Sequence, residues 1–442
     1  MLIFQSFSVE RIAQTRLRKM LASTALVVLI ASTSSATAEA KPLSLAEALQ
    51  RSLSQNPQLQ RYPFMERKAE ALRLQASLQP TPTLKLSVAN VMGNNEFSAT
   101  DSAETTLGLS QLIELGDKRQ ARIGLSDARW QQTLANYELA RLELLAETGR
   151  RYYKLLNTQT YREQLSERAR LEQSALAIIK HRVNAGAVGA ADAAKMELKL
   201  GQTELQLLQL NHQLQQQQSE LSSLWLNDVD YSSVEGNLFK LPAAIDIALL
   251  LQKLDRSPLI QQKIRLSQLA DAEVTREKSR SSSDLTVGFG VRDFQSSNSQ
   301  ALVFDLSMPL TLSNPNRGRL AAAYSEQQWA YEDRELKRRE LALALKSLSV
   351  GFDNRRIEAT RLGKQLLPKA QELLKEVELG YQRGIYSVLQ WIDAQDELFA
   401  LKQQQLQLHT TLYLQRLEVE RISGQALDTQ PKTHPSHSAP EA

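Results

Sequence analysis

Alternation of apolar and polar residues with a period of two picks out four short segments. In "TLKLSVANV" Leu84, Leu86 and Val88 point one way and Lys85 and Ser87 the other; in "DLTVGFGV" Leu285, Val287, Phe289 and Val291 oppose Thr286, Gly288 and Gly290. "ALVFDLSM" sets Leu302, Phe304, Leu306 and Met308 against Val303, Asp305 and Ser307. With the segment at 104–113 these patterns predict strands at about 83–91, 104–113, 284–293 and 301–310. Between them the apolar period changes to alternating threes and fours. From about Asp117 to Val183 runs a helical pattern of about 67 residues, or roughly 100 Å, with Leu142, Leu145, Gly149, Tyr152 and Leu156 on one seam. Leu200, Leu207, Leu210, Leu214, Leu221 and Leu224 repeat the seam after the turn, and Leu398, Leu401, Leu408, Leu412, Val419 and Ile422 repeat it in the last helix.

The elements fall into two copies. At an offset of 197 to 201 residues, "LAEALQRSLSQNPQLQ" (45–60) corresponds to "DIALLLQKLDRSPLIQ" (246–261), with Pro57 facing Pro258. "LGLSQLIELGDKR" (107–119) corresponds to "FDLSMPLTLSNPNRGR" (304–319), and "HRVNAGAV" (181–188) to "LGYQRGIY" (379–386), with Gly186 opposite Gly384. Each copy reads helix, two strands, very long helix, turn, helix. The helices expected at about 44–79 and 190–226, stacked end to end, match the length of the one long helix. The second copy repeats this with about 246–280 and 386–424 against 317–382. The domains follow: a first repeat at 39–226, a joining segment at 227–243 and a second repeat at 244–426.

The ends differ in character. Arg11, Arg16, Arg18 and Lys19 precede the apolar run "MLASTALVVLIAS" and the small residues of "SATAEA", so residues 1–38 are expected to be a signal peptide. The apolar run is shorter than the ~20 residues a membrane-spanning helix needs. Removing residues 1–38 takes the net charge from +4 to +1, with 49 basic against 48 acidic residues left. Nucleic-acid binding then has no electrostatic motive. Residues 427–442, "DTQPKTHPSHSAPEA" and its leader, read as a disordered tail. Cysteine is absent, which excludes disulfides, thiolate chemistry and an acylated N-terminal cysteine.

The strands have one apolar face and one small or polar face. This suits a wall between lipid and a watery lumen, and equally a half-buried sheet in a soluble protein. Four strands cannot close a barrel, and open sheet edges are not tolerated in lipid. Membrane insertion therefore requires several chains to share one barrel.

Over essentially the whole mature chain the sequence resembles the TolC-type outer-membrane efflux and secretion channels. The resemblance rests on the duplicated order of elements, on "LSLAEALQRSLSQNPQLQ", and on the two turns "RVNAGAVGAAD" and "YQRGIYSVLQWIDAQDELFALKQ". It implies a mainly α fold with a small β portion. Three copies would form a homotrimeric 12-stranded outer-membrane barrel continued by a 12-helix periplasmic α-barrel. It implies as partners outer-membrane lipid, a periplasmic adaptor (membrane fusion) protein and an inner-membrane RND-type pump. Within the family, "QLIELGDKRQARI" (111–123) looks like the heavy-metal cation efflux subclass.

The resemblance also assigns residues. Ala185, Gly186 and Ala187, then Arg383, Gly384 and Ile385, would be the turns where an adaptor's helical hairpin docks. Asp192 and Tyr381 match gate positions, and Asp393 matches an aspartate lining the periplasmic aperture; Asp396 is a candidate for a second carboxylate ring. Three-fold symmetry would turn one carboxylate per chain into a cation-favouring ring. Two family positions differ: Gln390 stands where a second aperture aspartate is usual, and Tyr386 where a gate-locking arginine is usual. Asp192 could alternatively cap the helix it opens.

No cofactor or metal is called for. The chain has no HExxH, GxSxG or Walker loop, and His434 and His437 lie in the polar tail. Enzymatic function is therefore not expected, and energy for transport would come from a partner. Two other readings share features with this one. A type I protein-secretion conduit has the same fold and another cargo; a soluble coiled-coil adaptor would have one hairpin flanked by β-rich domains rather than two copies with strand pairs.

Overall fold

A computed structural model of the chain describes residues 41–310 and 314–425, all within one unit, Ala40–Ala442. The expected signal peptide and C-terminal tail lie outside the described residues. The order is α1 (Leu45–Gln55), α2 (Pro57–Gln60), α3 (Tyr62–Ser77), β1 (Thr83–Ala89), β2 (Glu104–Ile113), α4 (Lys118–Asn184) and α5 (Ala190–Ser222). The second copy follows as α6 (Ile247–Lys253), α7 (Pro258–Ser279), β3 (Leu285–Phe294), β4 (Ser299–Ser307), α8 (Arg317–Arg361), α9 (Leu367–Gln382) and α10 (Val388–Ser423).

α4 is a single helix of 67 residues. Its counterpart is α8 continued by a π segment, Leu362–Leu366, and α9. Pro368 explains the bulge. It has no N–H and its ring crowds the carbonyl four residues back, so the backbone widens there and the helix continues.

The helices expected at 44–79 and 246–280 are each broken at an X-Pro step. Asn56 turns to extended backbone before Pro57, and Ser257 before Pro258, because a residue preceding proline is steered out of the helical region. Both breaks serve one purpose. Asn56 Nδ2 donates to Leu224 O at 2.7 Å, just past the end of α5, and Ser257 Oγ donates to Ile422 O at 2.6 Å, near the end of α10. Each copy thus joins its short upper helices to its returning helix through one polar side chain at the same place. The joining segment packs at the first joint. Val234 bridges to Leu43, Tyr231, Val234 and Leu238 are buried, and the Tyr152 hydroxyl bonds the carbonyls of Leu43 (2.9 Å) and Glu235.

The core takes part of the expected seams and adds residues outside them, among them Trp225 and, on α8, Leu345 and Phe352. Tyr152 and Leu156 of α4 pack with Leu214, Leu221 and Trp225 around the first joint; Leu345 and Phe352 of α8 pack with Leu412, Val419 and Ile422 around the second. Such side chains each contribute about 1.5–3 kcal/mol when fully buried.

The four strands form one antiparallel sheet in the order β1-β2-β3-β4. β1 ends at Ala89 rather than 91, where Asn90 takes a left-handed φ of 60°. β4 spans 299–307 rather than 301–310, with Pro309, which cannot donate to a ladder, just beyond it. The register aligns the apolar residues. Leu86, Leu107, Val291 and Leu302 form one row across all four strands, and Leu84, Leu109, Phe289 and Phe304 the next. All eight are exposed. The other face carries Lys85, Gly108, Gly290 and Val303, then Thr83, Ser110, Gly288 and Asp305.

Candidate functional site: the two hairpin turns and the unpartnered faces

The two glycine turns are the same structure twice. Gly186 has φ +70° and Gly384 φ +78°, conformations that strain any residue with a Cβ. In the first, Gly186 N–H bonds Val183 O at 2.9 Å and Ala187 N–H bonds Arg182 O at 2.9 Å; in the second, Gly384 N–H bonds Tyr381 O at 3.0 Å and Ile385 N–H bonds Gly380 O at 2.8 Å. This pair of bonds closes the last carbonyls of α4 and of α9 in a Schellman cap. It leaves Ala185, Gly186 and Ala187, and Arg383, Gly384 and Ile385, at the surface; Ile385 is 68% exposed. α10 then starts with a capping box between Ser387 and Gln390.

Behind the turns the two hairpins are tied together. Arg182 of α4 lies over the Tyr381 ring at 4.7 Å and donates to the Tyr381 carbonyl, and Tyr381 packs on Trp391 at 5.0 Å between ring centroids. Tyr381 is almost fully buried, and its hydroxyl has no hydrogen-bond partner among the described residues. Burial pushes that hydroxyl's pKa up, Arg182 opposes this, and the Asp192 carboxylate adds to it. Asp192 and Tyr381, each matched to a gate position by resemblance, are electrostatic neighbours here. Asp192 is not the cap of α5. Gly189 holds that position, and Asp192 sits in the first turn, where a carboxylate favours the helix dipole. Tyr386 packs against Gly380, where an added Cβ would lie 2.1 Å from its ring.

Asp393 and Asp396 differ in surroundings. Asp396 joins Arg168 of α4 and Lys199 of α5, the latter at 2.7 Å, and Arg168 also holds the buried Glu172 at 2.7 Å. Its charge is spent binding α10 to the first hairpin. Asp393 is exposed and has no ion pair among the described residues. One turn further along the same face lies Glu397, also exposed. The sequence reading passed over Glu397, although its i+4 spacing from Asp393 was the available signal. Among the described residues no group of three or more His, Cys, Asp or Glu could hold a metal ion, and no helix is long and apolar enough to cross a membrane.

A second missed feature is on α8. Trp329, Leu336, Leu343, Val350 and Ile357 recur every seven residues, yet each is 52–68% exposed. One apolar residue per heptad is one of the two rows that a coiled-coil seam needs, and among the described residues this row is left exposed. Among the described residues β1 and β4 are the edge strands of the sheet, with no further strand beside them, next to an exposed apolar face.

The chain is thus a duplicated helical-hairpin protein with one open antiparallel sheet, apolar on its exposed face, and an exposed apolar ridge on α8. Residues 48–225 match the family described as outer membrane efflux protein. The cobalt-zinc-cadmium resistance protein CzcC of Cupriavidus metallidurans is 27% identical over 390 residues, spanning 87% of this chain and 91% of the relative. Among solved structures, CusC superposes with a TM-score of 0.72 at 16% identity, covering 86% of this chain and 92% of its own. The outer-membrane channel OprN gives 0.71 at 19%, covering 86% and 90%, and the outer membrane protein VceC of Vibrio cholerae 0.71 at 15%, covering 86% and 96%. At such identities these likenesses establish the fold.

Proposed function

We propose that three copies of this chain form the outer-membrane exit duct of a tripartite efflux system, passing substrate from an inner-membrane RND-type pump and a periplasmic adaptor to the exterior. The observation that carries this reading is the sheet: apolar on one face, small and polar on the other, and open at both edges. Three sheets placed edge to edge give twelve strands, satisfy every edge and turn the apolar rows to lipid. The α8 stripe then packs against the neighbouring copy, and the long helices extend the barrel into the periplasm.

Conduction in this reading is passive. The chain supplies a shaped wall and a constriction, and the energy comes from the pump. The turns at Ala185–Ala187 and Arg383–Ile385 receive the adaptor, since they present exposed backbone at the end away from the sheet. Asp393, repeated three times, makes the acidic ring of the aperture, with Asp192 and Tyr381 behind it as part of the gate. Asp396 acts within each copy as a tie between hairpins rather than as a second ring. The similarity to a cobalt-zinc-cadmium resistance protein favours divalent metal cations as cargo.

The test is ion conductance of the purified protein in a planar bilayer, wild type against Asp393→Ala and Asp396→Ala. Small cation-selective currents that grow and lose selectivity in Asp393→Ala are expected. Currents unchanged by Asp393→Ala would remove that residue from the aperture, and absence of any current from a bilayer-inserted oligomer would count against an open duct.

A further inference from the structure

The helix turns next to the sheet carry charge that the duct itself does not use. By register, Thr83, Ile113, Leu285 and Ser307 lie at one end of the sheet, so α3 and α7 end there and α4 and α8 begin there. The acidic residues in these turns are mostly committed. Glu114 pairs with Arg122, Asp127 with Arg73, Asp284 with Lys118 at 2.7 Å, and Glu273 and Glu277 with Arg276. Exposed basic residues with no ion pair among the described residues include Lys68, Arg119, Lys278, Arg317 and Arg319, against the exposed acids Glu70 and Asp117. The opposite end of the sheet has the reverse balance. Residues 90–104 and 292–298 hold Glu96, Asp101, Glu104 and Asp293 against Arg292 alone.

We propose that the five residues form a phosphate-binding belt for phospholipid headgroups of the leaflet that faces the helices. This rests on the reading of the sheet as a membrane wall. Two observations support the occupant. Arg119, Lys278, Arg317 and Arg319 lie in the first or last turn of a helix next to the strand ends, and Lys68 lies nine residues before the end of α3, so the belt begins where the apolar rows end, the side on which long basic side chains reach out to phosphate while their stems stay on apolar surface. The charge is also one-sided across the apolar band, which a general need for solubility would not produce. Each basic residue near an anionic lipid surface changes affinity by about fivefold.

The experiment is thermal unfolding of the purified oligomer titrated with phosphatidylglycerol, phosphatidylcholine or inorganic phosphate. Wild type is compared with Lys68→Gln/Arg317→Gln/Arg319→Gln and with the charge-keeping Lys68→Arg/Arg317→Lys/Arg319→Lys. Phosphatidylglycerol is expected to stabilise wild type and the charge-keeping variant at concentrations on the order of 100-fold lower than it does the Gln variant. Stabilisation that ignores headgroup charge, or that is the same in the Gln variant, overturns the belt. Inorganic phosphate matching phosphatidylglycerol would overturn it too, by making the site one for free anions. Insertion into vesicles is recorded alongside. Insertion without headgroup preference refutes the belt alone, and failure to insert into vesicles of either lipid refutes the belt and the duct together.

Discussion

Replacing Leu343 by Asp on α8 should dissolve the assembly while leaving each chain folded. Leu343 is 66% exposed in the single chain, so about two thirds of its apolar surface awaits a partner. Complete burial of a leucine contributes about 1.5–3 kcal/mol, which leaves about 1–2 kcal/mol for each interface of the oligomer. A closed ring of three repeats the loss three times, about 3–6 kcal/mol, or on the order of 10² to 10⁴ in the assembly constant. An aspartate adds the cost of placing a carboxylate in an apolar seam, so these figures are lower bounds. Helical content should stay as in wild type, because Leu343 is not part of the buried cluster formed by Leu341, Leu345 and Phe352. Sedimentation in detergent over a range of protein concentrations, with circular dichroism on the same samples, measures both. An oligomer of unchanged stability would show that the α8 stripe is not an interface and would refute the reasoning from its seven-residue spacing.

Two further outcomes follow from particular side chains. Gly384→Pro cannot keep φ +78° and loses the N–H bonded to Tyr381 O, so adaptor binding, read by cross-linking, should fall sharply while oligomers persist; normal cross-linking would remove the turn from the docking surface. His409 is buried against Phe239 and its pKa is pushed below 6.5 by burial. The unfolded chain therefore binds the proton first, and stability should be level above about pH 6.5 and decline as pH falls toward the folded-state value. A His409→Gln protein in urea titrations should show a shallower decline, and an identical slope would assign the acid sensitivity elsewhere.

Much of the fold was legible because its two periods are long and clean. The 67-residue span of α4 and the four strands were readable from spacing alone, since period-two and three-four patterns rarely persist by accident over such lengths. The breaks at Asn56 and Ser257 were visible as X-Pro steps but were read through, because their reason lies in Leu224 and Ile422, more than 150 residues away in sequence. The π segment escaped because the helix expected at 317–382 was read straight through Pro368, and the widening of the backbone before that proline leaves no mark in the spacing. At the candidate site, the glycines announced their positive φ, but the partners of a carboxylate depend on which helices meet. Asp393 and Asp396 look alike in "IDAQDEL", and only the packing of α10 on α4 and α5 separates the exposed one from the one held by Arg168 and Lys199. The α8 stripe was present in the sequence, but the seams read there were those of the first long helix, the helix after the first turn and the last helix, and spacing alone does not tell a buried row from an exposed one.

The central claim is that three chains complete what one leaves open, and the mass of the detergent-solubilised protein, measured by native mass spectrometry, tests it most directly. The account predicts a complex of three chains, stable on dilution, with no other closed species. A stable monomer, or a dimer that resists dilution, would contradict it, because neither gives β1 and β4 the partners that a membrane-embedded sheet requires.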